Sequence, residues 1–206
     1  MPLLYFGVQL IAAPFYPGYS FLARDASTLG SPGSTHPAIF NLGSIVTGVV
    51  TLVAALGFHR AFDRFRIHPA LTWLATLALV GSAVGSINAG LHPLPDPLHT
   101  SGILSVLGMG LFLLPLLLPI AVWRMDNLST LRRYLVINLM LVIALIPIMG
   151  GLVQRWSMMA GVELPKLQSI LNNDQGALQR VAAFALFVPI GVTAAVLATR
   201  LTTSRN

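Results

Sequence analysis

Residues 98–123 read LHTSGILSVLGMGLFLLPLLLPIAVW, and this stretch decides the fold. It contains no Asp, Glu, Lys or Arg, and it exceeds the roughly 20 apolar residues that an α-helix needs to cross a bilayer. Nothing in it alternates in the manner of a barrel strand, and lipid cannot satisfy free backbone groups. The stretch therefore predicts a transmembrane helix.

Five further segments of the chain are apolar enough to span a membrane in the same way. The six predicted spans are residues 3–19, 38–58, 70–91, 98–123, 134–153 and 181–199. Pro14 and Pro17 are expected to kink or end the first of them. The predicted fold is all-α, a single transmembrane domain over residues 1–206 built as a bundle of six transmembrane helices.

The composition agrees with this class and excludes several others. Hydrophobic residues make up 55% of the chain and charged residues only 9%, against about a quarter charged in a typical soluble domain. A soluble protein of this size cannot bury so much apolar surface. With 0 Cys, the chain has no disulfides, no thiolate chemistry and no Cys-ligated metal centre.

The basic residues predict the orientation of the helices. The net charge of +6 comes from side chains scattered at the ends of apolar runs, without the basic stripe that nucleic-acid binding requires. By the positive-inside rule, the side with more Lys and Arg faces the cytoplasm, so both termini are predicted to be cytoplasmic. That side carries Arg60, Arg64, Arg66, Arg124, Arg132, Arg133, Arg200 and Arg205, and the opposite side carries Arg24, Arg155, Lys166 and Arg180.

The most chemically suggestive cluster lies between the third and fourth spans. His92, Asp96 and His99 are side-chain types that ligate divalent metals and that act as general acids and bases. They are therefore candidate catalytic residues and candidate metal ligands. A structural alternative is equally specific, since Asp96-Pro97 is a favourable N-cap and N1 pair for the following helix.

Other polar residues are predicted at the same outer level. His36 and Asn41 stand at the mouth of the second span, and Asn88 lies at a similar depth in the third, with Ser44, Thr47 and Ser86 nearby. They predict either hydrogen bonds between helices or a polar pocket open to the outside. The candidate substrate-binding residues are His36, Asn41, Asn88, Arg24, Arg155 and Arg180. For the last two, the alternatives are a bound phosphate or carboxylate headgroup and plain interfacial anchoring.

Two stretches carry a family resemblance. Residues 16–48, YPGYSFLARDASTLGSPGSTHPAIFNLGSIVTG, and residues 90–100, GLHPLPDPLHT, resemble the bacterial domain-of-unknown-function 998 family of small six-helix membrane proteins. The resemblance covers roughly the first 125 residues, and this chain has Leu91-His92-Pro93 where a Phe-Pro is common in the family. It implies a bacterial plasma-membrane protein, and it adds Asp25 to the candidate catalytic residues.

Three functions remain open from the sequence. The first is a binding protein whose outward-facing polar pocket takes a lipid or an isoprenoid-like small molecule. The second is a lipid-modifying membrane enzyme with a His/Asp site, which a divalent metal would complete. The third is a transporter, which is disfavoured because no Asp, Glu, Lys or Arg lies deep in any predicted span. The expected partner is a membrane lipid or small hydrophobic ligand, and a homo-oligomer is compatible with all three.

Overall fold

The structure is a computed structural model, and it describes residues 1–123, 125, 127–149, 159, 161–162, 164–165, 169 and 173–203. The long helices are α2 (Pro37–Arg64), α3 (Pro69–Leu91), α6 (Ser129–Met149) and α7 (Gln175–Thr203). Helix α1 (Pro2–Ala12) is shorter, and the fourth segment contains α4 (Ile103–Gly108) and α5 (Leu114–Val122). Among the described residues, five segments are long and apolar enough to cross a membrane, and α1 is a shorter apolar helix.

The first predicted span is shorter than expected. The α-helix ends at Ala12 and continues only as a 3₁₀ turn over Ala13–Phe15, because Pro14 has no N–H to extend the hydrogen-bond ladder. Its 11 residues rise about 16 Å, roughly half of the hydrocarbon thickness. Pro2 packs against Gly191 within α7, so α1 occupies one half of the bundle.

The other predicted spans agree with the structure to within a few residues at most ends. The second and sixth helices extend beyond their predicted limits, to Pro37–Arg64 and Gln175–Thr203. The fourth segment spans Pro97–Val122 but is interrupted by a 3₁₀ stretch at Met109–Leu113, just before Pro115. The sequence beyond residue 149 in the fifth predicted span lies outside the described residues.

Two faces of the bundle follow from this topology. The loop face carries residues 16–36, the turn after α3 and the beginning of α7. The basic face carries the turn between α2 and α3, the turn between α5 and α6 and the end of α7. Large apolar side chains such as Val53, Ile137 and Phe184 point outward between these faces, as expected where helices meet lipid.

Small residues let α3 approach its neighbours closely. A β-carbon added at Gly85 would lie 2.5 Å from the Cα of Gly108, and one at Gly81 would lie 2.4 Å from the carbonyl oxygen of Leu107. The Gly81–Gly85 pair is the small-xxx-small pattern that permits backbone contact in membranes. On the other side of α3, the Ser44 hydroxyl of α2 donates to the Ser86 carbonyl at 2.8 Å.

The apolar core lies in the half of the bundle near the basic face. Fully buried side chains there include Phe62 of α2, Leu79 of α3, Leu118 of α5 and Leu135 of α6. A second, smaller cluster lies under the loop face and contains Ala12, Ala26, Leu29 and Phe40. Between the two, the loop half of the bundle leaves space for the cavity described next.

Candidate functional site

The loop half of the bundle contains a cavity of about 260 Å³, which we call the hydroxyl cavity. It lies between α1, α2, α3, α4 and α7, and the 3₁₀-helix Ala26–Gly30, here called the roof helix, contributes its cover. The polar side chains that line it are Ser27, Ser44, Thr47, Ser82, Ser86, His99, Ser105 and Gln179. No Asp, Glu, Lys or Arg belongs to its described lining.

Several of these polar groups are already bonded to the protein. Thr47 donates to the Gly43 carbonyl at 2.8 Å, and Ser105 donates to the His99 carbonyl at 2.6 Å. The Gln179 side-chain oxygen accepts the Ala26 N–H at 2.7 Å. These bonds orient the side chains and tie the roof helix to α7.

Other polar groups of the hydroxyl cavity have no such bond. The hydroxyls of Ser27, Ser82 and Ser86 and the Gln179 amide nitrogen have no partner among the described residues. His99 Nδ1 lies 2.8 Å from the His92 carbonyl, which can only accept, so Nδ1 carries the hydrogen and Nε2 of the neutral ring keeps a lone pair. The cavity therefore offers hydrogen-bond donors and one nitrogen acceptor to a guest.

Arg180 holds the loop face together above the cavity. One guanidinium nitrogen donates to the carbonyls of Phe21 at 2.7 Å, Arg24 at 3.0 Å and Gly176 at 2.8 Å. The other terminal nitrogen donates to the Tyr19 hydroxyl, and the guanidinium lies 4.8 Å from the centre of the Phe21 ring. Both terminal nitrogens are thus engaged by the first loop, and Arg180 anchors that loop to α7.

Asp25 is drawn into the same arrangement. Its carboxylate accepts a hydrogen bond from the Gln175 amide at 3.1 Å. Burial raises the pKa of the Asp25 carboxyl above its ordinary 3.8, and the charge of Arg180 opposes that shift. Burial also raises the pKa of the Tyr19 hydroxyl. Asp25 is therefore a half-buried carboxyl at the joint between the first loop and α7.

The predicted His/Asp cluster forms a compact turn after α3. Asp96 caps the 3₁₀-helix Pro97–His99 by accepting the Leu98 N–H at 2.8 Å, as the capping interpretation predicts. Its second oxygen lies 2.9 Å from His92 Nδ1. These two bonds lower the pKa of Asp96, the backbone bond contributing most. The buried Asn88 amide donates to the Leu98 carbonyl at 2.9 Å and closes the turn.

The turn does not bring three metal ligands together. Within the described part of the chain, no group of three His, Cys, Asp or Glu side chains could hold a metal ion. The reason is local: His92 is paired with Asp96, whereas His99 directs Nδ1 to a backbone carbonyl and lines the hydroxyl cavity. Of the two interpretations that the sequence left open for this turn, the described geometry contains the cap, and it contains no group of three such metal ligands.

The remaining predicted residues lie around the cavity without lining it. His36 is exposed, packs on the Phe15 ring and bonds the Thr35 hydroxyl. The Asn41 amide donates to the Gly30 carbonyl at 3.1 Å and so fastens the roof helix to α2. The Arg24 side chain donates to the Tyr16 hydroxyl at 3.1 Å and lies over that ring. Arg155 lies outside the described residues.

An apolar cleft of about 440 Å³ lies beside the hydroxyl cavity. Its lining is Met109, Phe112, Val142, Leu145, Ile146, Ala182 and Leu186. The same two elements border both spaces through different residues: Leu186 lines the cleft and Phe187 lines the cavity, while the 3₁₀ stretch Met109–Leu113 gives Met109 and Phe112 to the cleft and Leu111 to the cavity. Ser27, Ser105 and Gln179 are not among the residues predicted from the sequence, and neither is the cleft.

The fold defines a multispanning helical membrane protein. The family model described as "Protein of unknown function (DUF998)" matches residues 1–196, and the chain belongs to this family, which confirms the resemblance. No curated protein and no solved structure matches the chain.

Proposed function

We propose that this protein binds a neutral amphiphile, such as an isoprenoid alcohol, with its polar end in the hydroxyl cavity and its apolar chain in the apolar cleft. The observation that carries the proposal is that α7 and the 3₁₀ stretch Met109–Leu113 border both spaces. One is lined by unbonded hydroxyls such as Ser82 and Ser86, and the other by Met109, Phe112 and Leu186.

The size of the hydroxyl cavity supports a small polar end. Its volume of about 260 Å³ would hold roughly nine waters at about 30 Å³ each. That lies just below the range of about 300–1,000 Å³ typical of sites for drug-sized ligands. The hydroxyl end of a prenol is small enough for this space.

The charge of the cavity argues for a neutral ligand. No cation lines the described part of the cavity, and Arg180 above it has both terminal nitrogens bonded to the first loop. A diphosphate buried there would lose its hydration without gaining a counter-charge. A ligand hydroxyl can instead donate to His99 Nε2 and accept from a serine hydroxyl.

Thermal stability of the detergent-purified protein tests this proposal, with farnesol and farnesyl diphosphate as probes. Farnesol should raise the melting temperature by mass action on the folded state, and the diphosphate should raise it less. Ser86→Leu should abolish the farnesol effect by filling the cavity. A larger effect of the diphosphate, or an undiminished farnesol effect in Ser86→Leu, would overturn the proposal.

A second pair of variants covers the case in which Ser86→Leu fails to fold. His99→Asn keeps an N–H that can donate to the His92 carbonyl but removes Nε2. The loss of one hydrogen bond of about 1 kcal/mol should weaken farnesol binding about fivefold. The matched control is His36→Asn, which changes an exposed histidine outside the described lining and should leave binding unchanged.

The proposal includes an orientation in a bacterial plasma membrane, with the loop face outward and the basic face in the cytoplasm. The distribution of arginine between the two faces supports it. Because the chain has 0 Cys, single cysteines can report on it without background. A membrane-impermeant maleimide should label Ala23→Cys in intact cells and should label Thr130→Cys only after lysis, and the reverse pattern would refute this orientation.

A lipid-modifying enzyme is the second candidate, favoured by one observation. The Asp96 carboxylate lies 2.9 Å from His92 Nδ1, which leaves Nε2 of His92 available as a general base. If that pair is catalytic, membrane lipids incubated with the protein should yield a product by mass spectrometry that His92→Gln abolishes. No product from the wild type would remove this candidate.

A further inference from the structure

The basic face contains a second large concave space, which we call the arginine groove. It has a volume of about 1,030 Å³ and lies between the turn joining α2 to α3, the end of α5, the start of α6 and the end of α7. Its polar donors are Arg66, His68 and Arg200, and its walls include Leu71, Ile120 and Trp123. No carboxylate belongs to the described lining.

The donors of the arginine groove are available to a ligand. The Arg66 guanidinium has no partner among the described residues, and the one ion pair that they form lies on the loop face. His68 Nδ1 accepts the Ala70 N–H at 3.3 Å, so in the neutral ring Nε2 carries the hydrogen and can donate. Arg200 uses one nitrogen on the Asn127 carbonyl at 2.8 Å and keeps its other donors.

The backbone at Arg66 adds a second, independent observation. Arg66 has a φ of 54°, the left-handed conformation that favours glycine, at the position directly after the C-cap of α2. The N–H of Ile67 bonds the Phe62 carbonyl at 2.9 Å, and the N–H of Arg66 bonds the Asp63 carbonyl at 2.9 Å, which is the Schellman pattern. An arginine thus stands at a position whose backbone favours glycine, and its guanidinium lines the groove.

We propose that the arginine groove binds the phosphate of an anionic phospholipid, with Arg66, His68 and Arg200 as its donors. Arginine forms charge-assisted, bidentate hydrogen bonds with phosphate, and basic pockets at the membrane surface select anionic headgroups. The apolar wall of Leu71 and Ile120 favours a phospholipid over free phosphate as the ligand, because the glycerol and upper acyl chains can lie against this wall. Trp123 supplies an amphipathic side chain at the membrane–water boundary.

Thermal melts of the full chain in a neutral detergent test this site with phosphatidylglycerol, phosphatidylcholine and inorganic phosphate as separate probes. Phosphatidylglycerol should raise the melting temperature of the wild type, and the other two should not. The variant Arg66→Gly/Arg200→Gln should weaken the apparent affinity for phosphatidylglycerol about tenfold or more. Arg66→Gly suits the positive φ, and the amide of a glutamine at position 200 could still donate to the Asn127 carbonyl, so this variant is expected to fold.

The matched control removes the same charge from the same face. Arg60→Gln/Arg133→Gln changes two exposed arginines outside the described lining and should retain the response to phosphatidylglycerol. An equal loss in this control would show that general surface charge attracts the lipid, and would overturn the site. A response to inorganic phosphate as large as that to phosphatidylglycerol would overturn the choice of a lipid.

Discussion

Replacing Arg180 by glutamine should release the first loop from α7. The change removes the guanidinium that donates to the carbonyls of Phe21, Arg24 and Gly176 and to the Tyr19 hydroxyl. A hydrogen bond to a charged group contributes about 1.5–3 kcal/mol. Water can replace the more exposed bonds, so we count one or two as lost without compensation and expect a destabilisation of about 2–4 kcal/mol.

For a chain of this length each kcal/mol corresponds to about 2–4 °C, so Arg180→Gln should lower the melting temperature by about 5–15 °C. Limited proteolysis should cut within residues 16–36 faster than in the wild type. Arg24→Gln is the control, because it loses one exposed bond to Tyr16 and should change stability by no more than about 0.5 kcal/mol. An unchanged melting temperature with a protected loop in Arg180→Gln would refute the anchoring role.

Three further changes test the close packing and the two carboxylates by thermal melts. Gly85→Val should lower the free energy of unfolding by about 1–3 kcal/mol, because the new side chain clashes with Gly108. Gly57 has open space around it, so Gly57→Ala should leave the free energy of unfolding unchanged or raise it by about 0.5–1 kcal/mol. Equal effects of the two changes would contradict the close approach at Gly85. Asp25→Asn should stabilise the folded protein at neutral pH, because burial raises the pKa of the Asp25 carboxyl and so penalises its charged form in the folded state. The gain should disappear below pH 3.8, where the carboxyl is protonated in the folded and the unfolded state. A gain that persists at low pH would refute burial as the cause. Asp96→Ala should destabilise the folded protein more than Asp96→Asn, because asparagine keeps an acceptor for the Leu98 N–H. The stabilisation by Asp96 should be present above pH 3.8 and disappear as the pH falls through its lowered pKa. Equal losses of stability in the two variants would argue against the cap.

The helices were predictable because a long apolar run is a one-dimensional signal. The largest shortfall is in α1, which ends at Ala12 next to Pro14, one of the two prolines expected to kink or end it. The 3₁₀ stretch at Met109–Leu113 in the fourth segment was not predicted. The turn after α3 was predictable only in part. The pattern Asp96-Pro97 predicts the cap, but it does not predict that the His99 ring would bond the His92 carbonyl and not the His92 or Asp96 side chain. That outcome depends on a backbone carbonyl, which the sequence does not position.

The hydroxyl cavity could not be predicted for a different reason. In lipid a serine or threonine commonly donates to a carbonyl one turn earlier, as Thr47 and Thr51 do here, so a hydroxyl in a span does not reveal what it faces. Thr47 lines the same cavity as Ser82 and Ser86, but of these three hydroxyls only those of the two serines have no partner among the described residues. Their role follows from packing between elements distant in the chain.

The roles of the arginines also depend on contacts that the sequence does not show. The sequence predicts Arg180 and Arg66 on opposite sides of the membrane and makes only Arg180 a candidate binding residue, but it does not show what either guanidinium bonds. In the structure, Arg180 has its terminal nitrogens engaged by the backbone and a phenol of its own chain, so its charge serves to hold a loop. Arg66 has no partner among the described residues, stands on a backbone that favours glycine and lines the arginine groove, so its guanidinium is available to an anion there. Our two proposals accordingly assign an anionic ligand to the basic face, where the arginine donors are available, and a neutral ligand to the cavity under the loop face, where no described Asp, Glu, Lys or Arg is in the lining.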